Sequence, residues 1–469
     1  MATQQSFGLP TGAEKLKAVK ELVDDLTEDL DNEQFLPDDR ALALEKLKIY
    51  TRDPKNAEPL YTEKGIHMLL RHAYDNSSIK ASHAAMRVLA NAMLLVPLTR
   101  RIFVDKKFAP RACQKLDTED FDGEFLNSRV LLISTYDPNI DLDELLDNEK
   151  LADRIVSNLA RHEKEMNSKK ADSDPMQDMA LVETLKLLFN VTHHRPEKAS
   201  MFTPAVPHLT ALLFKDDISP TNPLGPPVGF IVNGFLNLEL GGQESQESLH
   251  PEGDTDKVVF RLIEILDPAI RTTPDSQLDA SVTPLIGLIK TIYEHAPKSS
   301  RNLIRERLLP TEEDRKDVLG KGDNLSAKLL KNYNNPMAPN TRNMIQHLFF
   351  DLSDKDASKF VENVGYGLAS GFLFQNNIPV PASITGDDEE TKSSRKPTNP
   401  ITGQFIEDEK SVEMPEMTEE EKEREAERLF VLFERLKATG VVDIQNPVEA
   451  AAREGRYREL KEDEVEEIE

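Results

Sequence analysis

Helical segments that carry a narrow polar strip recur along this sequence, and no other feature constrains the fold as strongly. In residues 181–192 the leucines return at helical spacing, while Lys186 and Asn190 stand four residues apart on another face. A helix that is apolar over most of its circumference must pack against neighbours on several sides. The segment is therefore predicted to be an internal helix of a stacked array.

The same pattern returns in four other segments. The matching polar positions are Arg87 and Asn91, Asn233 and Asn237, Lys290, and Gln346. The interval from Asn190 to Asn233 is 43 residues, and the next two intervals, to Lys290 and to Gln346, are 57 and 56. Armadillo and HEAT repeats have periods of about 40–47 residues, so the longer intervals imply insertions. The pattern predicts an all-α fold, specifically a right-handed superhelical solenoid of the armadillo/HEAT type.

Length and charge narrow the class of protein. The chain has 469 residues, which is too long for one compact core, and its helical segments far outnumber strand signals. Its net charge of −26 argues against direct binding of nucleic acid. The acidic residues are concentrated in the C-terminal part of the sequence, since residues 385–469 contain 26 Asp and Glu against 13 Lys and Arg.

The sequence also indicates a compartment. Cys113 is the single cysteine, so no internal disulfide can form, and we expect a packed thiol rather than a nucleophile. The first residues lack a basic and then apolar signal, and the longest apolar runs are too short to span a bilayer. These features predict a cytoplasmic protein without a transmembrane segment.

Periodicity and composition divide the chain into four regions. These are a solenoid at 1–380, an acidic disordered linker at 381–416, an amphipathic helix at 417–439 and an acidic tail at 440–469. Within the solenoid we expect single helices at 143–165 and at 358–374, and a flexible polar loop at 241–256.

The amphipathic helix and the linker carry their own candidate residues. Thr418 and Glu421 form a capping box at the start of the helix. Its apolar face consists of Leu429, Phe430, Phe433 and Leu436. This face either caps the last repeat or folds onto a partner, and the sequence leaves both open. Thr385 in the linker fits the acidic-kinase pattern T-x-x-[DE] and is the candidate phosphorylation site.

Signatures of catalysis are missing from the sequence. It contains no phosphate-binding loop of the G-x-x-x-x-G-K-[ST] type. His193 and His194 adjoin a helix end, but no further ligands stand at metal-binding spacing. We therefore expect no catalytic residues, no cofactor and no metal.

The polar strips are the remaining candidate for function. In a stack of three-helix repeats, the third helices line the concave groove, and their polar residues would face it. The candidate binding residues are Arg87, Asn91, Arg129, Lys186, Asn190, Asn233, Asn237 and Lys290. Arg and Lys bind anions and Asn binds peptide backbone, so this set suits a peptide with a carboxylate or a free C-terminus. Each residue could instead solvate an exposed helix face or close an internal hydrogen bond.

Three segments resemble the synembryn family (resistance to inhibitors of cholinesterase 8). The C-terminal signature of that family is similar to the Asn-Pro-Ile-Thr-Gly motif at 399–403 and to residues 417–426 and 429–436. Residues 185–192 resemble its mid-chain repeat, and residues 363–373 resemble its tyrosine-glycine segment. The similarity extends, with gaps, from about residue 15 to 440.

The resemblance implies a folding chaperone and non-receptor guanine nucleotide exchange factor for heterotrimeric G-protein α subunits (Gα). In that mechanism the concave groove takes the C-terminal helix of Gα, and the solenoid protein's own C-terminal helix holds switch II of nucleotide-free Gα. GDP then leaves, and GTP binding ends the complex. The implied partner is Gα without βγ, which carries the nucleotide and magnesium itself.

We further expect a monomer that reaches the plasma membrane through Gα. The alternative is a general solenoid adaptor of the nuclear import receptor kind, without exchange activity. The absence of Trp from the sequence counts against this alternative, because such receptors grip peptides with ladders of Trp and Asn.

Overall fold

The computed structural model describes residues 10–166, 175–380, 396, 398–399, 402–409 and 424. Within these residues the secondary structure is helical, apart from one isolated β-bridge between Thr398 and Phe405. The predicted all-α fold class is confirmed. The chain divides into a first unit, Met1–Thr311 with Gly320–Lys355, and a second unit, Glu312–Leu319 with Asp356–Glu469.

The first unit is built from a long series of α-helices. In its N-terminal half these are α1 (Gly12–Asn32), α2 (Pro37–Tyr50), α3 (Glu63–Tyr74), α4 (Ile79–Leu95), α5 (Pro97–Asp105), α6 (Ala109–Gln114), α7 (Phe121–Ser134), α8 (Leu142–Asp147) and α9 (Leu151–Met166). They are followed by α10 (Pro175–His194), α11 (Ala205–Leu212), α12 (Val228–Phe235), α13 (Gln243–Leu249), α14 (Lys257–Thr272), α15 (Asp275–His295), α16 (Lys298–Leu308), α17 (Leu325–Asn332) and α18 (Pro339–Leu352). In the described ranges, no helix is both long enough and apolar enough to cross a membrane.

Seven of these helices form a continuous series in which each packs on the next. This helix row consists of α2, α4, α7, α10, α12, α15 and α18. Its members include all the segments in which the sequence showed recurring polar strips. The apolar positions of α10 behave as their spacing predicts, since Leu181, Leu185 and Leu188 are buried between neighbouring helices.

Local sequence signals determine where the row helices begin. Ser78 caps α4 by accepting a hydrogen bond from the backbone N–H of Ala81, and Asp120 caps α7 in the same way. Pro37 and Pro339 are the first residues of α2 and α18, where a missing N–H breaks no helical hydrogen bond.

A buried polar cluster fastens α7 to α9 and α10. Oε1 of Glu124 accepts hydrogen bonds from Nε2 of His162 at 3.0 Å and from Oγ1 of Thr184 at 2.6 Å. Oε2 of the same carboxylate pairs with the guanidinium of Arg161. Burial opposes ionisation of Glu124, but the contacts with His162, Thr184 and Arg161 together lower its pKa below the ordinary value. The cluster therefore holds an ionised carboxylate beneath the middle of the helix row.

The first unit differs from the sequence expectation in two places. The predicted loop at 241–256 contains helix α13, which is held because Ser245 and Leu249 are buried and Ser245 Oγ donates to the carbonyl of Glu239 at 2.7 Å. The predicted helix at 143–165 is broken into α8 and α9 near Lys150, whose φ is +54°. Burial against neighbouring residues stabilises helix α13, and the left-handed backbone at Lys150 ends the helical path between α8 and α9.

The second unit contains α19 (Ala357–Val364) and α20 (Tyr366–Gln375). A single helix was predicted here, but Gly365 separates the two with a φ of +82°. Glycine has no Cβ and adopts this conformation easily. The rings of Phe360 and Phe372 then meet edge to face, with centroids 5.4 Å apart.

Part of the predicted linker contacts residues 312–319 of the same unit. The guanidinium of Arg315 donates to the carbonyl oxygens of Gly403 at 3.1 Å and Glu362 at 2.7 Å. The backbone N–H of Phe405 donates to the carbonyl of Arg315 at 2.7 Å. Gly403 has a φ of +69°, and a Cβ there would lie 2.4 Å from Cδ1 of Leu319. Residues 402–405 therefore form a turn that is fitted to Arg315.

Replacing Arg315 with alanine should release this turn without unfolding the helices. Hydrogen exchange at the amides of Gly403 and Phe405 should become faster by about tenfold, as expected for the loss of hydrogen bonds to a charged group. Arg307→Ala is the control, because this arginine stacks over Phe260 in the first unit. Unchanged exchange in Arg315→Ala would show that the guanidinium does not hold the turn.

Candidate protein-binding site

The structure places the eight candidate binding residues on the helix row. Arg87 and Asn91 lie on α4, Arg129 on α7, Lys186 and Asn190 on α10, Asn233 on α12, Asn237 just after α12, and Lys290 on α15. All eight are partly exposed, so none is lost to the core. We term these eight residues the polar seam.

Cations of the polar seam pair with carboxylates on neighbouring row helices. The guanidinium of Arg87 pairs with Asp122 on α7, and its Nη1 lies 3.8 Å from Glu45 on α2. Nζ of Lys290 lies 3.1 Å from Oδ2 of Asp351 on α18. These cations therefore join successive helices, in addition to presenting charge at the surface.

In the middle of the seam, one carboxylate serves two cations. Oε1 of Glu183 on α10 accepts from Nη1 of Arg129 at 3.2 Å and from Nζ of Lys186 at 2.8 Å. Lys186 also lies over the ring of Phe230 on α12, 5.0 Å from its centroid. The guanidinium of Arg129 lies 5.7 Å from the ring centroid of Phe125. Both cations are held from two sides while about a third of each side chain stays exposed.

The asparagines of the seam fall into two groups. Nδ2 of Asn190 donates to Oγ1 of Thr135 at 2.9 Å, and Nδ2 of Asn237 donates to the carbonyl of Phe189 at 3.3 Å. Asn190 and Asn237 therefore form internal hydrogen bonds, which was one of the alternative roles predicted from the sequence. The amides of Asn91 and Asn233 form no side-chain hydrogen bond with other residues in the described ranges. They are the seam asparagines with unused hydrogen-bonding capacity.

Lys290 is protonated in this setting. Partial burial opposes its charge, but the hydrogen bond to Glu294 and the ion pair with Asp351 outweigh burial and raise the pKa of the ammonium group. Glu294 lies on the same helix, with its carboxylate 2.8 Å from the ammonium group.

Sequence reasoning missed a set of exposed apolar residues beside the seam. Leu94 and Leu95 on α4 are 51% and 40% exposed, and Tyr136, just beyond α7, is 54% exposed. Leu94 stands seven residues after Arg87, and Tyr136 seven after Arg129, which places each near the same face of its helix. Leu236, three residues after Asn233, is also exposed. Their spacing from the polar residues was visible in the sequence, but only the folded structure shows that these apolar side chains are exposed.

Some candidates lie elsewhere. Thr385 and the apolar face formed by Leu429, Phe430, Phe433 and Leu436 lie outside the described residues. Cys113 is buried, and burial raises the pKa of its thiol to about 12. Because a thiol with so high a pKa stays protonated at neutral pH, Cys113 is a packing residue in this fold.

The chain is similar to known proteins over most of its length. Chaperone Ric-8A of Gallus gallus is 25% identical over 467 residues, which cover 87% of this chain and 83% of the relative. Chaperone Ric-8A of Xenopus tropicalis is 24% identical, with 88% and 84% of the two chains covered. A synembryn-like chaperone of Schizosaccharomyces pombe is 23% identical over 79% of this chain and 75% of its own length.

A sequence model of the guanine nucleotide exchange factor synembryn family matches residues 43–456. The match includes every helix that carries a polar seam residue. It also includes the Asn-Pro-Ile-Thr-Gly motif, whose Gly403 accepts a hydrogen bond from Arg315, and the apolar positions between 429 and 436. The chain therefore belongs to the guanine nucleotide exchange factor synembryn family.

Proposed function

We propose that this protein is a folding chaperone and a non-receptor guanine nucleotide exchange factor for heterotrimeric G-protein α subunits. The observation that carries the proposal is the polar seam, a line of partly exposed donors on successive helices of a synembryn family member. The family is described as exchange factors, and the relatives compared above are named as chaperones. The protein acts by binding and has no catalytic residues of its own.

The ligand of the seam is the C-terminal helix of Gα. The arginines and lysines of the seam supply positive charge for its carboxylate, and the amides of Asn91 and Asn233 bind its backbone. The exposed side chains of Leu94, Leu95 and Tyr136 cover its apolar face. A ligand that is apolar along one side and anionic at its end matches this combination.

Binding of this helix favours the nucleotide-free state of Gα. Drawing the helix away from the GTPase core weakens the contacts that hold GDP, so the complex with empty Gα is stabilised relative to the complex with GDP. The nucleotide and magnesium are bound by Gα, and this chain supplies no cofactor. Segment 417–439, with Leu429, Phe430, Phe433 and Leu436, supplies the second contact, at switch II.

The proposed mechanism also implies a partner, an oligomeric state and a location in the cell. It binds Gα without βγ, acts as a monomer in the cytoplasm, and reaches the plasma membrane through Gα. Thr385 is the residue at which phosphorylation would add negative charge to the linker.

The deciding measurement is GDP release from purified Gα with and without a stoichiometric amount of this protein. We expect release to be at least about tenfold faster, which corresponds to a barrier lower by about 1.4 kcal/mol. A stable complex without nucleotide should accumulate when GTP is withheld. A small GTPase from outside the heterotrimeric class is the control and should be unaffected.

Other outcomes would revise the proposal. Unchanged GDP release with a better yield of folded Gα on co-expression would leave the chaperone role alone. Neither effect, together with capture of lysine-rich peptides, would favour the general solenoid adaptor.

A further inference from the structure

Positive charge is not evenly available along the polar seam. At the α4 end, Arg87 and its neighbour Lys48 face the carboxylates of Glu45 and Asp122. Two cations meet two anions there, so this part of the seam is electrically balanced.

The α15 end is balanced in the same way. Lys290 pairs with Glu294 and Asp351, and Lys355 lies 3.6 Å from Asp351. An anionic ligand at this end would have to compete with carboxylates that already neutralise the lysines.

The middle of the seam differs, because one carboxylate there serves two cations. Arg129 and Lys186 both bind Oε1 of Glu183, and no other ion pair involves either cation in the part of the chain that the structure describes. The three residues, which we term the central subsite, carry a net charge of +1.

Glu183 is suited to hold the two cations in place. Its side chain is only 4% exposed, so the carboxylate is fixed beneath the surface while both cations reach the solvent. The neighbouring Thr184 is tied to Glu124 in the buried cluster, which anchors this turn of α10 against α7. Phe230 and Phe125 limit the remaining freedom of Lys186 and Arg129.

We propose that the central subsite is where the polar seam binds one carboxylate of its ligand, and that Glu183 is the positioning residue that sets its capacity to a single negative charge. The inference rests on the proposed function in taking that ligand to be the C-terminal helix of Gα. A monoanion is neutralised by the surplus of one charge, whereas the balanced ends of the seam offer no such compensation. Ligand specificity thus depends on a buried residue that does not touch the ligand.

The test compares two synthetic peptides that span the last helix of a Gα subunit, one with a free C-terminal carboxylate and one amidated. The full-length protein is titrated with each at low ionic strength, and the ratio of the two Kd values is the readout. We expect the free acid to bind about tenfold more tightly, in the range of a charge-assisted hydrogen-bond pair. A purely structural role of these residues would change both Kd values together and leave the ratio constant.

Two substitutions should move the ratio in opposite directions. Lys186→Gln removes the surplus charge, and the ratio should fall to about two or less. Glu183→Gln keeps the shape of the side chain and raises the net charge of the central subsite to +2. The ratio should therefore rise severalfold. Lys198→Gln is the matched control, because Lys198 pairs with Asp143 and Asp147 away from the seam. Its ratio should equal that of the unsubstituted protein.

The outcomes separate this inference from the proposed function. If Lys290→Gln lowers the ratio of the two Kd values to about one and Lys186→Gln leaves it unchanged, the carboxylate binds at Lys290 and the inference is wrong. If GDP release is accelerated but both peptides bind equally, the subsite is wrong and the exchange function stands. If GDP release is unchanged while the ratio responds as expected, the subsite stands and the exchange function fails. Should Glu183→Gln not fold, Lys186→Gln still tests the inference, because about a third of the Lys186 side chain is exposed.

Discussion

Glu124→Gln should lower the free energy of unfolding by about 3–5 kcal/mol, the usual effect of removing one partner from a buried ion pair. Glu124 is fully buried, and its carboxylate is the shared partner of Arg161 and His162. The amide cannot neutralise Arg161, so the substitution leaves a desolvated charge between α7 and α9. Urea unfolding followed by circular dichroism measures the loss.

Asp117→Asn is the matched control for this substitution. Asp117 pairs with Arg154, also on α9, but its side chain is 62% exposed. Solvent screens that pair, and we expect a change below about 1 kcal/mol. Equal effects of the two substitutions would show that the buried cluster contributes no more than a surface pair.

The difference between Glu124→Gln and the unsubstituted protein should also depend on pH. Because the folded-state pKa of Glu124 is lowered, its contribution is complete above the unfolded-state pKa of about 4.3. It is lost as the pH falls through the lower folded-state value. The two proteins should therefore differ most near neutral pH and converge in acid, and a constant difference would contradict the assignment.

The second large effect concerns binding. Leu94→Asp and Tyr136→Asp should each weaken the affinity for the Gα C-terminal peptide by about thirtyfold or more, because a buried, unpaired carboxylate costs at least about 2 kcal/mol. Both side chains are more than half exposed in the free protein, so the melting temperature should hardly change. Fluorescence anisotropy of a labelled peptide measures the Kd.

Met337→Asp is the control for these two variants. Met337 is 66% exposed but lies between α17 and α18, away from the polar seam. Its substitution should leave the Kd unchanged. Unaltered affinity in Leu94→Asp and Tyr136→Asp would show that the ligand's apolar face does not lie on these residues.

Much of the candidate site was readable from the sequence because helical periodicity is a local property. The spacing of leucines in 181–192 predicted a helix with several neighbours, and α10 has them. The same spacing put Lys186 and Asn190 on one partly exposed face. Local signals failed where burial or left-handed backbone decided the structure, as at α13 and at Gly365.

The sequence by itself therefore determined the all-α class and the family, and it predicted the polar seam as a binding site. Tertiary structure alone decided what each seam residue is free to do. Arg129 meets Glu183 across 54 positions of sequence, and Asn190 meets Thr135 across 55. Such partners are set by which helices pack together, and no local pattern encodes that choice. The same packing left surplus positive charge at the middle of the seam, where one buried carboxylate lies beneath two cations.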